Sequence, residues 1–364
     1  MNRMRTAVLV GATLLAACSS NTLRRTGEVP RRLTAEQVPS AITGAEQALE
    51  RGRADVALEW MFVAGEVQGL PPAQRNHVQA LLEQSADVRI EQLSGADADP
   101  EDLADLLGVG LPRQIAVSAG IRAARMWNER GEFKRSVELI RRMDELFPTH
   151  HERATAGALL VEAGMALSRD DSGFWFFFSA REQGMAALEY LVLHYPHEPG
   201  GAQAYWRLTE MYEEDDLWTT AIDRHQELVW AFPRSELVPA SLARIPSLRL
   251  AALSSPEYDR GALVLARSEF EAWLGDYAGH ASETEVRAGL TDCLRRLAAS
   301  DIGIARFYRR VDNAFGARFH AERAVLEAEQ AGDEALGVRA REFLDTFPPA
   351  DDGDDRDPEA EETR

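Results

Sequence analysis

Tyr205-Trp206-Arg207-Leu208-Thr209-Glu210-Met211-Tyr212, followed by Ala221-Ile222-Asp223-Arg224-His225 and closed by Phe232-Pro233, is the stretch whose reading decides the fold. Tyr205, Leu208 and Tyr212 lie three and four apart, so they share one stripe of a helix. Ala221 is small where a second helix would cross the first closely, and His225 falls one turn further along. Phe232-Pro233 ends that second helix, because proline cannot continue it and pushes the preceding residue away from helical angles. A hairpin of two such helices cannot cover its own apolar stripe. It needs neighbours stacked on both sides.

Tyr205, Leu208, Thr209, Tyr212, Ala221, His225 and Pro233 keep the spacing of the tetratricopeptide grid, and partial copies of that grid flank them. Upstream, residues 41–50 and 54–68 form a degenerate hairpin broken at Arg51-Gly52-Arg53, with Gly44, Ala45, Ala57 and Met61 in place. A further helix over 72–93 is followed by a turn from Ser94 to Pro100 and a short helix over 101–107. A clear repeat begins near Ser118, with Ala123, Ala124 and Trp127 on one helix, Gly131 and Phe133 at the turn, and Ser136, Ile140 and Met143 on the next. Phe147-Pro148 and Tyr195-Pro196 close successive repeats 48 residues apart, against 37 from Tyr195-Pro196 to Phe232-Pro233. The excess is an insertion containing Phe174-Trp175-Phe176-Phe177-Phe178. Downstream, Ala266, Phe270 and Trp273, then Leu294 and Leu297, then Ile304, Ala305 and Tyr308 with Ala317, Ala321 and Ala324 continue the pattern. The fold class expected is all-α, a tetratricopeptide-like α-solenoid of stacked antiparallel helix pairs.

The sequence divides into a signal peptide over 1–17, a flexible tether over 18–40, and an N-terminal helical region with a degenerate repeat over 41–113. The repeat domain follows over 114–349, then an acidic tail over 350–364, which is too charged to fold. Arg3 and Arg5, an apolar run from Ala7 to Ala17, and Cys18-Ser19-Ser20 form a secretory signal too short to span a bilayer. Its ending, Leu15-Ala16-Ala17-Cys18, resembles the bacterial lipobox, which implies lipidation of Cys18 and a membrane anchor. Acyl chains contribute about 0.8 kcal/mol per buried methylene, so several of them hold a protein stably. The serine after the cysteine implies, by the same resemblance, release to the outer membrane of a diderm cell.

The chain of 364 residues carries a net charge of -20, which makes nucleic acid an improbable partner. Cys18 is taken by the lipobox, so Cys293 stands alone and a disulfide framework is excluded. Cys293 lies on an apolar stripe and reads as a small buried hydrophobe.

Phe270-Glu271-Ala272-Trp273-Leu274-Gly275-Asp276-Tyr277, Leu294-Arg295-Arg296-Leu297-Ala298 and Ile304-Ala305-Arg306-Phe307-Tyr308 resemble the outer-membrane assembly lipoproteins of the BamD (YfiO) type. With Tyr195-Pro196, Phe232-Pro233 and the lipobox, the resemblance covers roughly residues 118–331. The sequence departs from that pattern at Tyr277-Ala278, where the family has Tyr-Pro. The resemblance implies a non-enzymatic periplasmic scaffold, docked on an outer-membrane β-barrel assembly protein and presenting unfolded barrel precursors. It implies no cofactor. A general lipoprotein adaptor for other envelope or cell-wall machinery is the alternative.

The groove of such a stack is lined by first-helix residues that are not packing landmarks. In the central repeat these are Gln203, Trp206, Glu210 and Glu213; in the earlier one, Ser118, Ile121, Arg125 and Asn128. Trp206 either meets a partner, as aromatic hot spots do, or packs on the adjacent repeat. Trp175 and Phe177 belong to a run of aromatics that would surround a helix axis, so they either bury within the insertion or face a partner or lipid. His150-His151-Glu152 and His194-x-x-His197-Glu198 hold metal-capable side chains, but the second pair straddles a proline and shares no helical face, and no His-Glu-x-x-His motif occurs. There is no glycine-rich phosphate loop or Gly-x-Ser-x-Gly elbow, and Glu213-Glu214-Asp215-Asp216 reads as a solvated turn.

Overall fold

The computed structural model describes residues 25–347 except 96, 109, 171–178 and 254–258. Cys18, Trp175, Phe177 and the acidic tail therefore lie outside the described residues. The chain falls into two compact units, Met1–Ala187 and Leu188–Arg364. Among the described residues the structure is helical, with no strand.

The first unit contains α1 (Val38–Glu50), α2 (Ala54–Gly65), α3 (Pro72–Gln92), α4 (Pro100–Ala104), α5 (Arg113–Glu129), α6 (Phe133–Leu146) and α7 (Arg153–Ser168), and the division between units falls within α8 (Ala180–His194). The second unit continues through α9 (Gly201–Glu214), α10 (Trp218–Ala231), α11 (Val238–Ala252), α12 (Arg260–Asp276), α13 (Glu283–Arg310), α14 (Ala314–Gln330) and α15 (Glu334–Leu344). Helices adjacent in sequence pack in pairs. The odd-numbered ones also touch, α1 with α3, α3 with α5, α5 with α7, and in the second unit α11 with α13 and α13 with α15. Pairs whose first helices share a layer are stacked hairpins, the architecture expected.

One local device makes the hairpins. After α1, α5, α9, α13 and α14 a single residue takes a left-handed conformation: Gly52, Gly131, Asp216, Asp312 and Gly332, with φ between 57° and 75°. The next amide then reaches back to the last turn of the helix, as in Arg53 N to Ala48 O, Glu132 N to Trp127 O and Leu217 N to Tyr212 O, each 2.8 Å. The left-handed residue's own amide bonds the carbonyl three back, for instance Gly131 N to Asn128 O at 2.9 Å. This is the Schellman closure, which satisfies carbonyls a helix end leaves bare. At two of the five sites aspartate stands in the left-handed conformation usually given to glycine.

The grid residues sit where the spacing puts them. Tyr205, Leu208, Thr209, Tyr212, Ala221 and His225 are all buried, as are Trp127, Ile140, Met143, Leu188, Leu191, Phe270 and Trp273. Cys293 is buried too; burial pushes its thiol up to about 12, and its Sγ donates to the Leu263 carbonyl.

Two elements differ from the sequence expectation. Residues 25–40 do not run as a free tether: the Thr26 amide donates to Glu59 Oε2 at 2.8 Å, Arg25 pairs with Glu59 at 3.1 Å, and α1 has begun by Val38. The reason is Glu59, a carboxylate buried on α2 whose charge needs these partners. The helices read separately around Leu294 and Ile304 are one, α13, of 28 residues. Ser300-Asp301-Ile302-Gly303 contains no proline or helix stop, so the helix runs on to about 42 Å at 1.5 Å per residue.

α13 carries an ionic hub invisible to the repeat grid. Asp301, fully buried, receives Arg260 of α12 through Nε at 3.2 Å and Nη2 at 2.9 Å, and meets His320 Nδ1 of α14 at 2.6 Å. Glu327 of α14 lies 3.7 Å from both Arg260 and Arg323. Burial works to raise Asp301, but hydrogen bonds from Arg260 and His320 hold it below the ordinary value. Burial and the Asp301 charge push Glu327 up to about 7.

Two tests follow from α13 and its neighbours. A Cβ at Gly289 would lie 2.6 Å from the ring of Phe270, which has no exposure, whereas a Cβ at Gly303 would meet nothing within 4 Å. Both alanines gain about 0.8–1 kcal/mol of helix propensity. Gly303→Ala raises the urea midpoint, and Gly289→Ala falls below it by an overpacking cost of about 1–3 kcal/mol; equal midpoints would contradict this packing. For Glu327 the folded value stands above the unfolded one, so its contribution is present below about 4.5 and lost as pH rises through about 7. Glu327→Gln, fixed in the neutral form, flattens that part of the stability–pH curve measured by thermal melts.

Candidate functional site

The first-helix layer of the second unit opens into a cleft between α9, α11 and the start of α13. Trp206, Glu210 and Glu213 lie along one stripe of α9, spaced four and three. Ala240, Ala243 and Arg244 of α11 face them, and Ser282 and Glu285 close the end. This cleft measures about 370 Å³. A second hollow of about 510 Å³, lined by Arg207, Glu214 and Trp218, shares Glu210, Glu213 and Arg244 with it. The two run together as one groove over the exposed side of α9.

The walls hold one another in place. Glu213 is the pivot: its Oε1 lies 3.3 Å from His225 Nε2, and its Oε2 accepts from Arg244 Nε at 2.8 Å. Burial works to raise its carboxyl, but the hydrogen bonds from His225 and Arg244 outweigh burial and hold it below the ordinary value. Arg244 reaches on through Nη1 to Glu285 at 3.1 Å. Trp206 donates its indole N–H to Glu210 at 2.9 Å, and its ring stands edge-on to His225 with centroids 5.5 Å apart. Arg207 donates to Glu210 at 3.1 Å and to Glu214 at 3.3 Å.

Of the residues singled out from sequence, Trp206, Glu210 and Glu213 come together here, and Gln203 is exposed one turn earlier on the same stripe. Trp206 is half-buried, packs on His225 of its own hairpin rather than on the adjacent repeat, and lines the cleft. In the first unit the candidates on α5 do not share one exposed face. Arg125 is exposed, but Ile121 and Asn128 are buried. The Asn128 amide donates to the Leu159 carbonyl at 3.1 Å and to Glu162 at 2.9 Å, which makes it a tie between α5 and α7 and corrects its placement as a groove residue. α5 packs against α3, α4, α6 and α7, so that face is occupied.

Sequence reasoning missed the opposite wall. Arg244 carries no motif. Its only local signal is the pair of small residues, Ala240 and Ala243, that leaves a long side chain room on α11. His150, one of the metal-capable side chains, is buried instead with Nε2 3.0 Å from Asp144, and burial lowers its pKa. Among the described residues no three His, Cys, Asp or Glu side chains converge as metal ligands would.

Glu213→Gln tests the pivot. It removes the charge that fixes Arg244 and should cost about 1–3 kcal/mol, the range for hydrogen bonds to charged groups, read by urea unfolding at neutral pH. Because the folded value of Glu213 lies below the unfolded one, its contribution holds above the unfolded pKa and fades as pH falls through the folded value. The gap between wild type and variant therefore closes in acid; a gap that widened there would contradict this geometry.

No protein-family model matches the chain, and no curated protein matches it in sequence. Among solved structures it is similar to a tetratricopeptide repeat protein from Parabacteroides merdae, at 13% identity and a TM-score of 0.22, over 85% of this chain and 98% of that one. It is also similar to a circular tandem repeat protein with novel repeat topology, at 15% identity and a TM-score of 0.16, over 85% of this chain and 75% of that one. The fold rests on the helix pairing itself rather than on either likeness.

Proposed function

We propose that this chain is a lipid-anchored, periplasm-facing scaffold that works through protein–protein contacts, in the manner of BamD-like proteins of outer-membrane β-barrel assembly. The observation that carries the scaffold reading is the groove over α9. Its carboxylates and guanidiniums hold one another in place, so it presents a fixed charged and aromatic surface suited to contact with a partner. Anchoring rests on Leu15-Ala16-Ala17-Cys18, and the link to barrel assembly rests on the resemblance of the segments around Trp273, Leu297 and Tyr308. In this reading the partners are an outer-membrane barrel-assembly protein and unfolded barrel precursors, and the mature chain begins at Cys18.

A pull-down from native envelopes tests the proposal. Wild type should bring down a barrel-insertion protein, Trp206→Ala should bring down less while keeping its helical circular dichroism, and Cys18→Ser should leave the membrane fraction. Recovery of cell-wall machinery instead would favour the general adaptor. Capture unaffected by Trp206→Ala would remove the groove from the contact.

A further inference from the structure

The groove has a charge sign and an aromatic wall, and together they specify what fits it. Four carboxylates, Glu210, Glu213, Glu214 and Glu285, face two guanidiniums, Arg207 and Arg244. Glu213 and Arg244 neutralise each other at the base, where the Glu213 side chain is only 15% exposed. The surplus of negative charge stands at the rim, on Glu210, Glu214 and Glu285, whose side chains are 45%, 52% and 62% exposed. Glu210 accepts from Trp206 and Arg207 and Glu285 from Arg244, fewer bonds than the roughly four lone-pair sites of an ionised carboxylate can take.

Trp206 supplies the second element. Its N–H is committed to Glu210 and its ring packs at 70° to that of His225, so the indole is held as a wall beside the rim charges. A cation set against an indole face and carboxylates gains from both. Trp218 stands at the other end, and Ala240 and Ala243 offer an apolar floor between. The field of a chain with net charge -20 draws cations towards such a cleft and repels anionic segments.

We infer that the α9–α11–α13 groove takes an extended peptide segment bearing lysine or arginine beside apolar residues, its cation held between the Trp206 ring and the carboxylates of Glu210 and Glu285. The inference rests on the scaffold reading of the same groove and adds the chemistry of the partner. Peptide is favoured over a small polyamine because the two hollows share Glu210, Glu213 and Arg244, and the first adds Trp206, Ala240 and Ala243 to that charged lining.

The test is fluorescence anisotropy on the full-length protein in detergent with three probes: a short alternating Lys-Leu peptide, its Glu-Leu counterpart and spermine as competitor. The Lys-Leu peptide should bind, and added salt should weaken it as screening requires. Glu210→Gln with Glu285→Gln should weaken binding about tenfold, equivalent to about 1.4 kcal/mol. Trp206→Ala should weaken it separately, with helical content unchanged in each variant. Equal binding of the Glu-Leu peptide would overturn the inference, and so would full displacement by spermine at the peptide's own concentration. If no probe binds while native-envelope capture still depends on Trp206, the cationic ligand falls and the scaffold stands. If both fail, both fall.

Discussion

In the second unit, helices approach so closely that an aromatic ring of one rests on the bare backbone of a glycine in its partner. A Cβ on Gly201 would lie 2.5 Å from the ring of Phe232, and one on Gly316 would lie 2.9 Å from the ring of Tyr308. Phe270 sits on Gly289 in the same way. A ring seated on a glycine fixes both the separation and the rotation of two helices, since close-packed interiors have no slack for a side chain that does not fit. Phe232 thereby does more than mark a helix end before Pro233. It closes α10 back onto the first turn of α9, edge-on to Tyr205 with centroids 6.2 Å apart.

Once the pairs are locked and turns such as those after α9 and α13 are closed by a left-handed residue, the remaining faces of the first helices have only one another to meet. On α9 that face carries Trp206, Glu210 and Glu213, and on α11 it carries Arg244. The groove is what remains between them after packing has used every other stripe. The same logic separates α5 from α9. There the corresponding face meets neighbours on both sides of its layer, and Asn128 spends its amide on α7. A residue's place on the grid therefore does not decide whether it meets solvent or a helix; the spacing of the next first helix does.

This is why the fold was legible in the sequence and the site only in part. Spacing of three and four, a small residue at the crossing and a closing aromatic–proline pair are local signals; the first two land buried, and the third marks the helix end. The stripe of α9 was equally readable. Arg244, Glu285 and the hub around Asp301 are held by partners 19 residues away or more, as in His320 to Asp301, separated by 19, and Arg244 to Glu285 and Arg260 to Asp301, each separated by 41. No periodicity within one repeat encodes such pairs. The continuity of α13 through Gly303 escaped for a related reason: a grid that expects a break every repeat supplies one even where no proline or left-handed residue does.

The basic residues show how the chain reconciles an acidic surface with charged helix contacts. Of its 40 basic residues only Lys134 is lysine; the rest are arginine. The planar guanidinium binds a carboxylate with two parallel donors and gives up hydration more easily than an ammonium, so it suits a pair set between helices. Arg260 grips Asp301 with both Nε and Nη2, and Arg249 Nε lies 2.8 and 3.1 Å from the two oxygens of Glu269. Each such joint takes one carboxylate out of play with its cation, so the pairing leaves the charge balance unchanged. With 60 acidic residues against 40 basic ones, an acidic surplus remains, and part of it stands at the groove rim.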